Sequence, residues 1–247
     1  MNRFFNLLLI VVIIGWNYFT TSLPLNDTTM AELSEKYSTL INPAPYAFSI
    51  WGLIYLGLIG FAIFQITPAG RRYEAIDKFS PALWINLFFN GIWLAFFHYE
   101  LIWSSLIAML GVLISLVYIN LSINKEEKAV PRWVGWVFQV YFGWISIATI
   151  VNFASCFATL NSSVFMAFSE QFWFFTLISI AVILTFYVLQ KFRGFLYSLT
   201  IVWALVAISV SHSDGDYGTF YFPLVAAVII FLYSVIAAIR GNGRVIY

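Results

Sequence analysis

The chain has 247 residues, of which 62% are apolar, 20% are aromatic and only 9% are charged. Soluble domains carry about 25% charged residues, so this composition excludes a globule whose whole surface faces water and indicates a membrane protein. The formal net charge of +1 gives no electrostatic basis for binding nucleic acid, and the single cysteine, Cys156, excludes a disulfide within the chain.

Apolar runs long enough to cross a bilayer recur along the sequence. A transmembrane helix needs about 20 mostly apolar residues, and charged or turn-forming segments separate the runs. No separator is long enough to fold as a soluble domain. We therefore predict an all-α polytopic membrane helix bundle of about eight transmembrane helices. In chain order the spans cover residues 4–22, 46–66, 81–99, 101–123, 133–156, 171–190, 195–212 and 220–240.

The positions of Lys and Arg support this count. Cytoplasmic loops of membrane proteins carry an excess of these residues. If all eight runs cross and the N-terminus is cytoplasmic, every Lys and Arg except Lys36 lies inside. We therefore predict an integral protein of a bacterial inner membrane with both termini cytoplasmic. The outer segments hold the acidic residues Asp27, Glu32, Glu35, Glu100, Glu170, Asp214 and Asp216.

The first run also fits a cleaved signal peptide, because Arg3 precedes a short apolar core. A small-x-small cleavage site does not follow, since residues 18–24 read Tyr-Phe-Thr-Thr-Ser-Leu-Pro. The retained span is therefore the favoured interpretation.

Aromatic and asparagine residues on the apolar runs fall on shared helix faces. On the second run Trp51 and Tyr55 are four residues apart, and on the third run Asn86 and Asn90 lie on one face with Trp93 nearby. Spacings of three and four residues also align a set on the fifth run, which comprises Tyr141, Trp144, Ala148 and Asn152.

Two interpretations of these side chains remain open. Asn and Gln form hydrogen bonds between membrane helices, each worth about 0.6 kcal/mol on average, and packing of this kind is the favoured interpretation for any single residue. Alternatively, the second, third and fifth spans enclose a cavity with aromatic walls and a few polar groups, which suits a flat apolar ligand. The loop from Asp27 to Asn42 would then act as a lid over its mouth.

Charged groups suited to chemistry are confined to the span ends, which argues against an ion-coupled pump. His98 and His212 could be axial haem ligands, but a satisfied or solvated histidine is the simpler interpretation at these positions. With Glu100, Glu170 and Asp214, these histidines are the best available groups for an intramembrane enzyme acting on a lipid or pigment.

The order of the aromatic and Asn motifs resembles the TspO/translocator protein family, the tryptophan-rich sensory proteins. The second run has Asn42-Pro-Ala-Pro45 followed by Trp51-Gly-Leu-Ile-Tyr55, and the third has Asn90-Gly-Ile-Trp93 followed by Phe96-Phe97. The fifth run carries Tyr141, Trp144, Ala148-Thr149 and Asn152 in the family's register, although Val140 replaces the family's proline. Asn161 also matches an Asn that follows this helix in the family.

The resemblance covers residues 1–161 and implies a five-helix membrane region. The remaining residues, 162–247, supply three additional transmembrane helices and a short cytoplasmic tail without counterpart in the five-helix family. The family binds porphyrins, haem and sterol-like molecules, so the resemblance implies binding, sensing or passive transport of an apolar or amphipathic small molecule rather than an enzyme. The implied ligand-binding residues are Trp51, Tyr55, Asn90, Trp93, Tyr141, Trp144 and Asn152.

The partners implied are the lipid bilayer and an apolar small-molecule ligand, with porphyrin or haem as the candidate. No metal ligand set is predicted. A homodimer is left open, as is a scaffold subunit that docks a membrane partner through the last three helices.

Overall fold

The computed structural model describes residues 2–23, 25–125, 129–159 and 168–240. Within these ranges the chain is helical and contains no β-sheet. Two 3-10 turns, Pro45–Ser49 and Gly70–Arg72, accompany the α-helices. In chain order these are α1 (Asn2–Ser22), α2 (Met30–Lys36), α3 (Ile50–Phe64), α4 (Glu74–His98), α5 (Ile102–Asn124), α6 (Arg132–Ala158), α7 (Glu170–Phe192), α8 (Phe195–Val210) and α9 (Tyr217–Arg240).

The predicted polytopic membrane bundle is confirmed. Among the described residues, seven segments are long and apolar enough to cross a membrane, namely α1, Pro45–Phe64, α4, α5, α6, α7 and α9. The remaining predicted span is α8, an apolar helix of 16 residues. At 1.5 Å per residue it is about 24 Å long, whereas the hydrocarbon core of a bilayer is about 30 Å thick.

Helix α4 starts seven residues earlier than the sequence predicted. The third span was expected to begin at residue 81, but α4 begins at Glu74 and contains Pro81 in its interior. Proline removes a backbone donor from the helix, so the turn before it needs other support. The Arg3 side chain supplies that support, because its guanidinium bonds to the carboxylate of Asp77 and to the carbonyl oxygen of Tyr73.

The chain divides into two compact units. The first unit comprises Met1–Lys36 and Trp51–Phe138, and the second comprises Tyr37–Ile50 and Gln139–Tyr247. Helix α6 therefore contributes its first residues to one unit and the rest to the other. The predicted boundary at residue 161 separates the part of the chain that resembles a five-helix family from the part that follows it. That boundary stays a prediction.

In the first unit, hydrogen bonds fix the relative directions of the helices. Asn6 and Asn17 of α1 donate to Ser80 and Asn90 of α4, so these two helices run parallel. The Asn6 amide also donates to Gln65, just past the end of α3, while the hydroxyl of Tyr55 donates to Asn17. Helix α3 is therefore antiparallel to α1, as expected for successive spans.

In the second unit, α7 and α9 run parallel. The rings of Phe175 and Phe222 are 4.9 Å apart near the start of both helices, and those of Phe186 and Tyr233 are 5.0 Å apart further along. Helix α8 lies between them in the chain and runs the opposite way. Helices α7, α8 and α9 therefore alternate in direction, as three consecutive crossings require.

The segment Tyr37–Ile50 is held in the second unit by hydrogen bonds that its backbone groups form with α8 and Ser211. The amide of Ala44 donates to the carbonyl oxygen of Ala207 at 3.0 Å, and the hydroxyl of Ser211 donates to the carbonyl oxygen of Asn42. The indole of Trp203 donates to the carbonyl oxygen of Ala47 at 3.2 Å. These contacts hold the segment against the last turns of α8.

Candidate functional site

The motif residues of the first unit are linked through one asparagine on α1. The rings of Trp51 and Tyr55 stack with centroids 5.3 Å apart. The Tyr55 hydroxyl donates to Oδ1 of Asn17 at 2.6 Å, and Nδ2 of Asn17 donates to Oδ1 of Asn90 at 3.1 Å. Three of the predicted ligand-binding residues, Trp51, Tyr55 and Asn90, therefore belong to one connected cluster. Asn17, which joins them, was not singled out from the sequence.

Trp93 completes the motif residues of this unit. Its ring lies 6.2 Å from that of Phe97 on the same helix. The indole is only partly buried as a side chain, but its Nε1 atom is buried and has no hydrogen-bond acceptor among the described residues. An N–H group in this state is open to an acceptor from a ligand or water.

The neighbouring Asn86 has a structural role. Its Nδ2 donates to the hydroxyl of Ser115 at 3.0 Å and to the carbonyl oxygen of Val112 at 3.2 Å, both on α5. Asn86 and Asn90 are four residues apart on α4, yet one bonds to α5 and the other to α1. Asn86 therefore has the first of the two predicted roles, which is hydrogen bonding between membrane helices.

The motif residues of the second unit are more deeply buried. Tyr141 is 1% exposed, Trp144 2% and Asn152 4%. The rings of Phe48 and Trp144 pack edge to face, with a centroid distance of 5.6 Å and an interplanar angle of 85°. Like that of Trp93, the buried Nε1 of Trp144 has no acceptor among the described residues.

The seven predicted site residues thus form two sets, one in each unit. The first unit holds Trp51, Tyr55, Asn90 and Trp93, and the second holds Tyr141, Trp144 and Asn152. Their joint role in ligand binding stays a prediction. The matching Asn161 lies outside the described residues.

The second unit also contains a cavity that the sequence did not indicate. Its volume is about 300 Å³, and none of the seven predicted residues lines it. Residues 38–41, the last turns of α6 and the first turns of α7 form its walls. The Glu170 carboxylate accepts a hydrogen bond from the backbone amide of Leu40 at 3.1 Å, and the hydroxyl of Ser155 donates to the carbonyl oxygen of Tyr37. Leu40 and Glu170 are 130 positions apart in the sequence. A local motif therefore could not have revealed the cavity.

The groups proposed for an intramembrane enzyme do not form a metal site. Among the described residues, no group of three or more His, Cys, Asp and Glu side chains is placed to hold a metal ion. His98 is fully buried at the end of α4, and Glu100 forms an ion pair with Lys36 in the same unit. In the second unit His212 packs against the ring of Phe174, with centroids 5.5 Å apart.

Two ion pairs join separate segments of the first unit. Lys36 and Glu100, both predicted outside, pair with each other. Arg3, predicted inside, is joined to Asp77 at 2.7 Å, and the sidedness itself stays a prediction.

These features define a polytopic helical membrane protein with aromatic and Asn motifs on its second, third and fifth spans. The chain matches the family model described as TSPO-like protein over residues 3–239. It therefore belongs to the TSPO-like family, and the resemblance recognised from the motifs is confirmed. The match continues past residue 161 and includes α7, α8 and most of α9. Comparison with curated proteins and with solved structures finds no match.

Proposed function

We propose that the protein binds an apolar or amphipathic small molecule within the membrane, and that it senses or passively transports this ligand. A tetrapyrrole is the leading ligand class, with a sterol-like molecule as the alternative. Family membership supports membrane-embedded binding or transport in general. The choice of ligand rests on the resemblance of the motifs.

The observation that carries the proposal is that two buried indole N–H groups, one in each unit, have no acceptor among the described residues. They belong to Trp93 and Trp144, both of which lie in the family motifs. Leaving a buried donor unsatisfied costs about 1–3 kcal/mol. A ligand that brings carboxylate or other acceptor oxygens to these indoles would recover that free energy, which a purely apolar molecule would not.

The surrounding side chains suit such a ligand. Trp51 and Tyr55 present stacked aromatic rings, and Phe48 and Trp144 form an edge-to-face pair. Aromatic walls with few polar groups are typical of sites for flat apolar molecules. Under this proposal the aromatic residues contact the body of the ligand, while Asn90 and Asn152 orient its polar groups.

The proposal extends to localisation. The protein is an integral membrane protein, and the distribution of Lys and Arg favours cytoplasmic positions for both termini. The membrane we propose is a bacterial inner membrane. A reporter enzyme that is active only in the periplasm, fused after Arg240, should be inactive. Activity of that fusion would place the C-terminus on the outer side.

A titration of the detergent-purified protein with protoporphyrin and with haem tests the ligand proposal. Binding is followed by the absorbance of the porphyrin, because that signal does not depend on the number of tryptophans. We expect saturable binding that is at least tenfold weaker in Trp144→Phe, which keeps an aromatic ring but removes the N–H donor. Asn152→Leu should weaken it similarly. A tenfold change corresponds to about 1.4 kcal/mol.

The matched control is Trp103→Phe. Trp103 is 44% exposed at the start of α5, outside the motifs, and its replacement should leave the affinity unchanged. If porphyrins do not bind, or if Trp144→Phe binds as the wild type does, the tetrapyrrole proposal fails. A stoichiometric protein partner that co-purifies in place of a ligand would favour the scaffold alternative.

A further inference from the structure

We propose that the cavity at the start of α7 is a second binding site, which takes a small amphipathic cation. An ammonium group would lie beside the Glu170 carboxylate, and the apolar part of the ligand would fill the cavity. The site shares no residue with the seven motif positions. It therefore stands whether or not the tetrapyrrole proposal holds.

The cavity has the size and walls of a site for a small ligand. Its volume of about 300 Å³ lies at the lower end of the range of roughly 300–1,000 Å³ seen for small-molecule sites. The side chains of Ala154, Trp173, Phe174 and Leu177 give it a largely apolar lining. Such walls favour a hydrocarbon body, since burying apolar surface contributes about 25 cal/mol per Å².

Among the described residues that line the cavity, Glu170 has the one charged side chain, and this residue is exposed. One of its oxygens, Oε1, accepts from the amide of Leu40 at 3.1 Å. No Lys or Arg pairs with this carboxylate among the described residues. Its negative charge is therefore available to a cation that enters the cavity.

The charges of the second unit are divided between its two ends. Its described Lys and Arg residues are Lys191, Arg193 and Arg240, which follow or end α7 and α9. Helix α7 has 23 residues, which at 1.5 Å per residue places Lys191 and Arg193 about 30 Å from its first turn. Because α7 and α9 run parallel, Arg240 lies at that same far end.

The end that contains the cavity is acidic. Asp214 and Asp216 lie in the turn between α8 and α9, and the contact between Phe174 and His212 places this turn beside the start of α7. The N-terminus of a helix carries about half a positive charge, which does not cancel a full carboxylate. Within the second unit, the described charges at this end therefore favour a cation over an anion.

An ammonium group joined to a hydrocarbon could come from two sources. One is a free amphipathic amine, and the other is the ethanolamine head of a phospholipid. The charge and the apolar walls fit both, so the experiment compares membranes with and without phosphatidylethanolamine.

Photolabelling in lipid nanodiscs tests the site. The probe is an octylammonium that carries a diazirine, and the chemical control is the corresponding uncharged alcohol. In phosphatidylglycerol nanodiscs we expect saturable labelling by the amine of peptides containing residues 154–158 and 170–177. The alcohol should need at least tenfold higher concentration for the same labelling. Added phosphatidylethanolamine that competes with the probe would identify a lipid head as the occupant, and absence of competition would identify a free amine.

The critical variant is Glu170→Gln. Glutamine retains an oxygen that can accept from Leu40, so the loop keeps its anchor while the charge is lost. The amine concentration that gives half-saturated labelling should rise at least tenfold, and labelling by the alcohol should not change. The matched control is Glu74→Gln, since Glu74 is likewise the first residue of a helix, α4 in the first unit, and it should behave as the wild type.

Three outcomes would overturn the proposal: equal labelling by amine and alcohol, wild-type labelling of Glu170→Gln, or label confined to other peptides. If Glu170→Gln does not fold, Ala158→Leu gives a second test, because a larger side chain at this lining position fills the cavity. That variant should lose labelling by both probes, and retained labelling would exclude the cavity as the site.

Discussion

Each unit contains a well-defined contact between its own helices, and the two contacts differ in kind. In the first unit, buried polar side chains bond across helices. Asn6 donates to both Gln65 and Ser80 at 2.8 Å, and the indole of Trp84 donates to Asn6 at 2.6 Å. Three helices or their ends are thus joined through a single asparagine.

In the second unit, the backbones of α6 and α8 approach each other closely. A Cβ added to Gly143 of α6 would lie 2.8 Å from Cβ of Thr200 and 2.9 Å from the carbonyl oxygen of Tyr197, both on α8. The ring of Phe142 lies 4.7 Å from that of Tyr197. Both modes are expected in a bilayer, where small residues allow close packing and polar groups join helices. The comparison indicates that the network around Asn6 depends on particular donors and acceptors, whereas the contact between α6 and α8 depends on shape.

The strongest test of this contrast is Arg3→Ala. The Arg3 guanidinium bonds to the carbonyl oxygens of Gln65, Gly70 and Tyr73 and to the carboxylate of Asp77. Its side chain is 11% exposed. Hydrogen bonds that involve a charged group contribute about 1.5–3 kcal/mol each and are not additive. We expect the free energy of unfolding to fall by about 3 kcal/mol. A lower midpoint of thermal unfolding in detergent would show this loss.

The control for this prediction is Arg72→Ala, which removes an exposed arginine from the adjacent 3-10 turn. It should have little effect on the midpoint. Arg3→Lys should recover only part of the loss, because lysine keeps the charge but lacks the planar array of donors. A midpoint for Arg3→Ala equal to that of Arg72→Ala would show that the network does not stabilise the first unit.

The spans could be predicted from the sequence because each is determined by a local property. A run of about 20 apolar residues must form a helix in a bilayer, since its backbone groups have no other partner there. The early start of α4 could not be predicted in this way. It depends on Arg3 and Asp77, which are separated by 74 positions and whose pairing no helical periodicity encodes.

The site was predictable only in part for the same reason. Short motifs indicated Trp51 with Tyr55 and Trp144 with Asn152, because helical spacing places such residues on one face. The link through Asn17 and the cavity beside Glu170 arise where distant segments meet. Residues 37–50 gave no sign in the sequence that they would pack with the second unit.

The complementary test in the second unit is Gly143→Ala. The added methyl group would be too close to the backbone oxygen of Tyr197 to be accommodated by rotation of a side chain. Overpacking of this kind costs about 1–3 kcal/mol. Since alanine also favours the helix by about 1 kcal/mol over glycine in solution, we expect the free energy of unfolding to fall by up to about 2 kcal/mol, which a lower midpoint of thermal unfolding would show.

The matched control is Gly52→Ala, at a helical glycine of the first unit with nothing within 4 Å of the added Cβ. This change gains the same helix preference without the steric contact, so its midpoint should equal or exceed that of the wild type. If Gly143→Ala instead matches Gly52→Ala, α6 and α8 separate at little cost. Close backbone approach would then not stabilise the second unit, and its stability would have to come from the aromatic contacts around Phe142 and Tyr197.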